Sequence, residues 1–330
     1  MAAKSKTTRT ELPFAGFPTS EDLSAVRADI AILGIPYVTP SPYPPVPTSP
    51  SVKNALLASF GDTSLGAESI RKMSQRLGSL ITHYDFDLEG DLFGGHDLRV
   101  VDCGDVDLSS PKDEEKRKQA EASVRHLLGR GVIPLVLGGD HATTIPVLKA
   151  YEGRGPLCVV QIDAHLDFRD EVGGVREGYS SPMRRASEMP WVSSIAQIGL
   201  RGMGSARAQE VEQARSYGSV MVRAEELHRI GIEDVLRKIP RAEDYYITLD
   251  TDGLDPSIAP GVDAPAPGGV TYYQMVGLMR GIAQMGRIVG ADFVELAADL
   301  DLNGRTGFLV ARIIVVLMGL IARQRAWAAK

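Results

Sequence analysis

The stretch PLCVVQIDAHLDFRD, residues 156–170, contains the pattern that most clearly predicts the fold of this chain. Its first half is an apolar run that is too short for a helix and is typical of a buried strand. Its second half places Asp163, His165 and Asp167 at alternate positions, so that in an extended backbone all three side chains leave the same face. We therefore predict a buried strand whose C-terminal end carries a group of metal-binding side chains.

Two further apolar runs end in the same way. IPLVLGG, residues 133–139, is followed closely by His141, and YYITLD, residues 245–250, ends in Asp250 and is followed by Asp252. The C-terminal ends of strands form the ligand-binding edge of an open α/β sheet. Carboxylates can bridge two cations, and mixed carboxylate and imidazole ligands suit Mn, Ni, Fe or Zn better than Mg or Ca. The pattern predicts a two-metal site, and the alternative is a set of unrelated turn formers and helix caps.

Strand-like runs recur along the chain with helical patterns between them, such as residues 116–131. This alternation predicts a parallel sheet covered on both sides. We therefore expect an α/β fold, a single-domain three-layer αβα sandwich with a mostly parallel, about eight-stranded sheet over residues 28–330. The eight predicted strands are residues 28–36, 98–104, 133–139, 156–163, 193–200, 218–224, 245–250 and 287–295.

Three segments lie outside this alternation. Residues 1–27 are predicted as an N-terminal arm, either flexible or crossing to another subunit, because their polar start has no apolar region of a secretory signal. Residues 36–62 are predicted as a Pro-rich loop that forms a wall of the metal cleft or reaches a neighbouring subunit, with a flexible surface segment as the alternative. The apolar run IIVVLMGLIA, residues 313–322, is too short to span a bilayer and predicts a buried helix.

The composition excludes few functions but favours some. The net charge of −6 without a basic run argues against nucleic-acid binding and fits a small cationic substrate. Both cysteines, Cys103 and Cys158, lie within strand patterns, which favours buried thiols in a reducing cytoplasm over a disulfide. We expect a cytoplasmic protein that binds no membrane.

The chain resembles the ureohydrolase superfamily of arginases and agmatinases, and within it the agmatinase-like branch. The resemblance implies an arginase-like fold and hydrolysis of a guanidine-type C–N bond, with release of urea or an analogue, at a centre of two Mn(2+) or Ni(2+) ions. It also implies a trimer or hexamer, formed by identical chains or with a paralogous subunit. The motifs that carry it are VVDCGDVDL at 100–108, GGDHATT at 138–144, DAHLDFRD at 163–170, SPMRRASEMPWV at 181–192, LDTDGLDPSIAPG at 249–261 and DFVEL at 292–296.

The resemblance also implies individual roles. Asp163 and Asp250 would bridge both metals, Asp167 would also pass a proton to the departing amine, and Glu295 would bind the guanidinium group. The implied ligands of one metal are His141, Asp163, Asp167 and Asp250, and those of the other are Asp163, His165, Asp250 and Asp252.

The chain departs from its relatives at three places, one of which is the long Pro-rich loop after the first strand. In GYSSPMRR, Tyr179 and Ser180 stand where relatives usually have His and Gly, and Val262 and Asp263 replace a usual Thr-Gly pair. A phenol donates a hydrogen bond but is a poor proton shuttle at neutral pH. We expect Tyr179 to contact an unusual substrate, with a tolerated loop change as the alternative. A guanidino acid, guanidine, agmatine or a biguanide all fit, although the changes weigh against agmatine.

Two other functions remain open from the sequence. The chain could be a noncatalytic or regulatory subunit of a ureohydrolase hetero-oligomer, which the altered loop residues allow and the intact ligand set disfavours. It could also be an unrelated two-metal phosphatase or deacetylase. Phosphate chemistry needs basic groups near the metals, and only Arg169, Arg184 and Arg185 are close in sequence.

Overall fold

The fold is built on a nine-stranded sheet, seen here in a computed structural model that describes residues 7–40, 61–204 and 206–327. The strands lie in the order β1-β3-β2-β4-β9-β8-β5-β6-β7. Their bounds are β1 Thr7–Thr8, β2 Ile30–Ile35, β3 Val100–Val106, β4 Ile133–Gly138, β5 Leu157–Ile162, β6 Val192–Leu200, β7 Val220–Arg223, β8 Asp244–Asp250 and β9 Arg287–Val294.

The eight predicted strands are all present, and every pairing among them is parallel. The ninth strand, β1, pairs antiparallel with β3 at the edge of the sheet and was not predicted. It consists of two threonines, which are too few to show an alternating pattern. The single-domain, mostly parallel α/β prediction is confirmed.

Helices cover both faces of the sheet and form two apolar cores. Strands β2 and β5 are buried along their whole length, as expected for strands covered on both sides. One face packs against α1 Gly66–Gly78, α6 Ala224–Lys238, α7 Tyr272–Met285 and α8 Arg305–Trp327. The other face packs against α2 Asp113–Gly129, α3 Thr144–Lys149, α4 Pro182–Ser187 and α5 Ala208–Tyr217.

The described part of the predicted N-terminal arm differs from the expectation. Residues 7–27 lie against the sheet of their own chain, where Phe14, Leu23 and Val26 are buried. The backbone N–H of Phe14 also donates to the buried carboxylate of Asp102 at 2.7 Å. The arm prediction is wrong for these residues, because Phe14, in a short 3-10 helix, and Leu23 and Val26, outside any helix or strand, all reach the core.

The Pro-rich loop lies largely outside the described residues, which omit 41–60. Both of its described ends meet the same region. The N–H of Thr39 donates to Asp140 at 2.6 Å, and the N–H of Gly61 donates to the carboxylate of Asp263. The two ends of the loop are therefore fixed beside the C-terminal edge of the sheet.

Within the described residues, one helical stretch is long and apolar enough to span a membrane, namely Leu302–Gln324. However, 78% of that window is buried inside the fold. Ile313, Ile314 and Val316 are fully covered by neighbouring elements. The predicted buried helix is therefore present as α8, a core helix against the sheet.

A buried ion pair joins α1 to β3, and its carboxylate also binds the N-terminal segment. Arg71 donates to both oxygens of Asp102, at 2.9 and 3.0 Å, and to Asp105 at 2.5 Å. Arg71 and Asp102 are almost completely buried. Since Asp102 also accepts from Phe14, this pair holds α1, β3 and the N-terminal segment together.

Removing one partner of this pair should destabilise the protein strongly. Arg71→Ala leaves the Asp102 carboxylate buried without its cation, at an expected cost of about 3–5 kcal/mol in the free energy of unfolding. Arg99→Ala is the control, because Arg99 is largely exposed and lies 3.8 Å from Asp29, so that about 0–1 kcal/mol is expected. Urea unfolding followed by circular dichroism measures both, and equal losses would contradict the structural role of Arg71.

Candidate metal centre

The candidate metal centre lies at the C-terminal ends of four adjacent central strands, β4, β9, β8 and β5. His141 follows β4, Glu295 follows β9, and Asp250 is the last residue of β8. Asp163 follows β5 directly. Parallel strands bring these C-terminal ends to one edge, so residues far apart in sequence converge there.

The backbone after β5 and after β8 is a tight turn, not the extended chain that the alternate spacing predicted. The N–H of His165 donates to Asp163 at 2.6 Å, and the N–H of Asp252 donates to Asp250 at 2.9 Å. Each aspartate thus forms a turn with the residue two positions on. Asp167 adopts a left-handed backbone with φ of 49°. The predicted residues do come together, but through these turns and not through one face of a strand.

Four of the predicted ligands surround one point. The Nδ1 atom of His141 lies 2.8 Å from Asp167, 3.2 Å from Asp163 and 3.2 Å from Asp250, measured to one carboxylate oxygen of each. All four side chains are buried. Their ligand atoms lie within 4.8 Å of one another, which is close enough to hold one metal ion.

A second group lies beside the first. The Nδ1 atom of His165 is 3.0 Å from Asp252 and 3.6 Å from Asp163. Asp163 belongs to both groups, whereas Asp250 belongs to the first group alone. The structure therefore brings together all six predicted ligands, with Asp163 placed to bridge. A bridging role for Asp250 stays a prediction.

The chemistry of these donors fits a pair of metal ions. The Nε2 atom of His141 faces the hydroxyl of Thr248 at 3.0 Å, while its buried Nδ1 atom has no hydrogen-bond partner and faces three carboxylate oxygens. When Nε2 donates to Thr248, Nδ1 presents a lone pair to oxygens that are also acceptors. A cation between them turns this repulsion into coordination, and the mixed N and O donors suit Mn or Ni.

The pKa values show the same need for positive charge. Burial, and next the charge of Asp163, raise the pKa of Asp167 to about 7. Burial and the charges of Asp252 and Asp163 raise the pKa of Asp250 well above its ordinary value. For Asp163, burial raises the pKa, but the adjacent imidazole rings of His141 and His165 lower it further than burial raises it. Several carboxylates lie close together here, and their ionised forms are stabilised only by positively charged neighbours.

A cavity of about 340 Å³ opens onto the centre. Glu295 reaches it from the end of β9, where its carboxylate accepts from the N–H of His141 at 2.7 Å. Its backbone is left-handed, with φ of 61°, a strained conformation that is common at functional sites. The described lining residues are Val38, Thr39, Gly61, Asp62, Thr63, Asp140, His165, Asp167, Tyr179, Ser180, Asp250, Asp252, Asp263, Ala264 and Glu295.

Comparison with known proteins agrees with this geometry. The pattern of the Arginase family matches residues 53–319. The chain belongs to the arginase family. It is 30% identical over 274 residues to the guanidinobutyrase of Pseudomonas aeruginosa. This alignment covers 80% of this chain and 82% of that protein. It is 31% identical over 301 residues to the mitochondrial agmatinase of Gallus gallus. This alignment covers 89% of this chain and 82% of that protein.

The fold agrees with solved structures of the same kind. Proclavaminate amidinohydrolase from Streptomyces clavuligerus superposes with a TM-score of 0.79 at 26% identity, over 96% of this chain and 98% of that chain. The predicted resemblance to the ureohydrolase superfamily, agmatinase-like branch, is confirmed. With its paired His and Asp groups, this arginase-family chain is a binuclear metal-dependent amidinohydrolase.

Sequence reasoning missed the residues that orient the ligands. Thr248, in the middle of the buried strand β8, holds the ring of His141 and lies 3.3 Å from the hydroxyl of Thr144. On the neighbouring strand β9, the buried carboxylate of Asp292 accepts a hydrogen bond from the hydroxyl of Tyr246 at 2.7 Å. The available signal was a threonine hydroxyl inside the apolar run YYITL, because a buried hydroxyl needs a partner.

In this arginase-family site, Thr248→Val should weaken metal binding with little change in shape. The variant removes the hydroxyl that fixes the ring of His141, and loss of such a partner typically costs 10–100-fold in metal affinity. Chelator competition measures the dissociation constant. Ser74→Ala is the control, since it removes a buried hydroxyl that binds the N–H of Ala15, away from the metal centre. Unchanged affinity in Thr248→Val would show that this contact does not orient the ligand.

Proposed function

We propose that this protein hydrolyses a guanidine-type C–N bond of a small guanidino compound and releases urea or a close analogue. The observation that carries the proposal is the position of Glu295 beside a two-group His and Asp centre, on the same cavity. The names of its relatives, guanidinobutyrase and agmatinase among them, support this class of substrate. The substrate candidates are a guanidino acid, guanidine, agmatine and a biguanide.

The proposed cofactor is a pair of Mn(2+) or Ni(2+) ions. His141, Asp163, Asp167 and Asp250 would hold one ion, and Asp163, His165, Asp252 and the predicted bridge Asp250 the other. When bound, the ions supply a hydroxide near neutral pH by acidifying a water molecule whose pKa in bulk is about 15.7.

Two side chains, Glu295 and Asp167, would position the substrate and transfer a proton to the leaving amine. Glu295 would pair with the guanidinium in bidentate geometry and fix its carbon beside the metal centre. A water-derived hydroxide would add to that carbon. Asp167 would take the proton of the added hydroxyl group and pass it to the leaving nitrogen, and the C–N bond would break to give urea and the amine. Tyr179, which is 37% exposed and lines the cavity, would contact the remaining part of the substrate.

The assembly and location are also proposals. We infer a cytoplasmic trimer or hexamer, formed from identical chains or with a paralogous subunit, as in the resemblance described above. The alternative function, a noncatalytic or regulatory subunit of such a hetero-oligomer, is favoured only by the altered residues Tyr179, Val262 and Asp263.

The test is a substrate screen with defined metal content. The purified protein is reconstituted with Mn(2+) or Ni(2+), its bound metal is measured, and urea or the released amine is assayed with guanidine, agmatine, biguanide, 3-guanidinopropionate and 4-guanidinobutyrate. About two ions per chain and turnover of at least one compound are expected. A folded protein that binds no metal and hydrolyses nothing would favour the noncatalytic role.

A further inference from the structure

The wall of the substrate cavity is acidic beyond what the metal centre requires. Asp62, Asp140, Asp263 and Glu295 line it in addition to the metal-ligand side chains. Among the described lining residues there is no lysine or arginine. A carboxylate-bearing substrate entering this cavity would therefore meet several negative charges and no described cation.

Asp263 lies in this wall beside Gly61 and Asp62, at the end of the Pro-rich loop. Its carboxylate accepts from the N–H of Gly61, so it is held beside the described end of the Pro-rich loop. Asp62 follows directly and is itself fixed by its N–H, which donates to Asp299 at 2.7 Å. Burial raises the pKa of Asp263, and the charges of Asp299 and Asp62 raise it too. A further negative charge at this wall would be repelled.

Two arginines of this region, Arg201 and Arg185, donate to groups outside the cavity. Arg201 donates to backbone carbonyls, among them those of Asp252 at 2.6 Å and Ala266 at 2.9 Å. Arg185 pairs with Asp170 at 2.5 Å. Neither lines the substrate cavity. Since no arginine is among the described residues that line the cavity, none of the described arginines is in place to bind a substrate carboxylate.

We propose that Asp263 is a specificity-determining residue that selects cationic guanidine compounds without a carboxylate and excludes guanidino acids. This rests on the proposed function and narrows its substrate class. The guanidinium end is bound by Glu295, and the rest of the substrate passes the wall formed by Asp263 and Asp62. A neutral or cationic tail is accepted there, whereas a carboxylate tail is repelled by these like charges, because no lysine or arginine is among the described lining residues.

The test compares two compounds that differ only at the tail. Propylguanidine ends in a methyl group where 3-guanidinopropionate ends in a carboxylate. The ratio of their kcat/KM values is measured for the metal-reconstituted wild type, Asp263→Asn and Asp234→Asn. Asp234 is an exposed aspartate on α6, so its variant changes the net charge equally but away from the cavity. Asp263→Ser serves if the Asn variant does not fold, and thermal unfolding checks both.

For the wild type, kcat/KM is expected to be about 100-fold higher for propylguanidine than for 3-guanidinopropionate. Asp263→Asn should reduce this ratio by about tenfold or more, mainly by raising kcat/KM for 3-guanidinopropionate. Asp234→Asn should leave the ratio unchanged. Equal or faster turnover of 3-guanidinopropionate by the wild type, or an unchanged ratio in both Asp263 variants, overturns this inference while the proposed function stands. If the wild type hydrolyses no compound of the wider panel, both fall.

Discussion

Asp163→Asn is expected to remove both metal ions and to reduce turnover by about a thousandfold or more. Among the described residues, Asp163 alone belongs to both ligand groups, so its charge is expected to support both ions. The metal pair is expected to contribute several kcal/mol to the transition state, and each 1.36 kcal/mol corresponds to a factor of ten in rate. Elemental analysis after dialysis and urea release with the best substrate measure the two effects.

The neighbouring aspartates give graded controls. Asp252 belongs to the second group only, so Asp252→Asn should retain about one ion per chain and lose most activity. Asp170 ends the same DAHLDFRD motif but pairs with Arg185 outside the centre, so Asp170→Asn should retain both ions. Full metal content in Asp163→Asn would contradict its bridging position, and full activity would contradict a two-metal mechanism.

The contrast between strands and turns explains what the sequence could predict. Buried strands such as β5 and β8 leave continuous apolar runs, and a parallel sheet brings their ends together, so the edge that holds the centre was predictable. The path beyond each strand was not. It depends on hydrogen bonds from His165 to Asp163 and from Asp252 to Asp250, which replace the extended backbone. Alternate spacing is equally compatible with both paths.

The cavity wall was predictable only in part. Asp263 was noticed as a departure from related sequences, but its proximity to Gly61 joins segments 202 positions apart. Likewise, the contact between Thr248 and His141 joins residues 107 positions apart on neighbouring elements. Such pairings depend on the order of strands in the sheet, and a single sequence contains no direct signal of that order. The metal centre could therefore be predicted from the sequence, whereas the proposed substrate preference depends on contacts seen only in the packed structure.

Glu295→Gln should separate substrate binding from metal binding. The amide keeps the oxygen that accepts from the N–H of His141, but it loses the charge that would pair with a guanidinium. Removing one partner of a buried charge pair costs about 2–5 kcal/mol, which corresponds to a decrease in kcat/KM of roughly 30-fold to several thousandfold. Because Glu295 belongs to neither ligand group, about two ions per chain should remain.

The matched control is Glu188→Gln, a change at a half-exposed carboxylate directly after α4 that pairs with Arg184 at 3.1 Å and Arg185 at 3.2 Å. It should leave both kcat/KM and metal content unchanged. Loss of metal in Glu295→Gln would show that Glu295 supports the centre itself, and unchanged kinetics would make it an ordinary charge at a strand end. The strained backbone at Glu295 argues against the second outcome, because a residue without a role would gain about 1–3 kcal/mol by leaving the left-handed region.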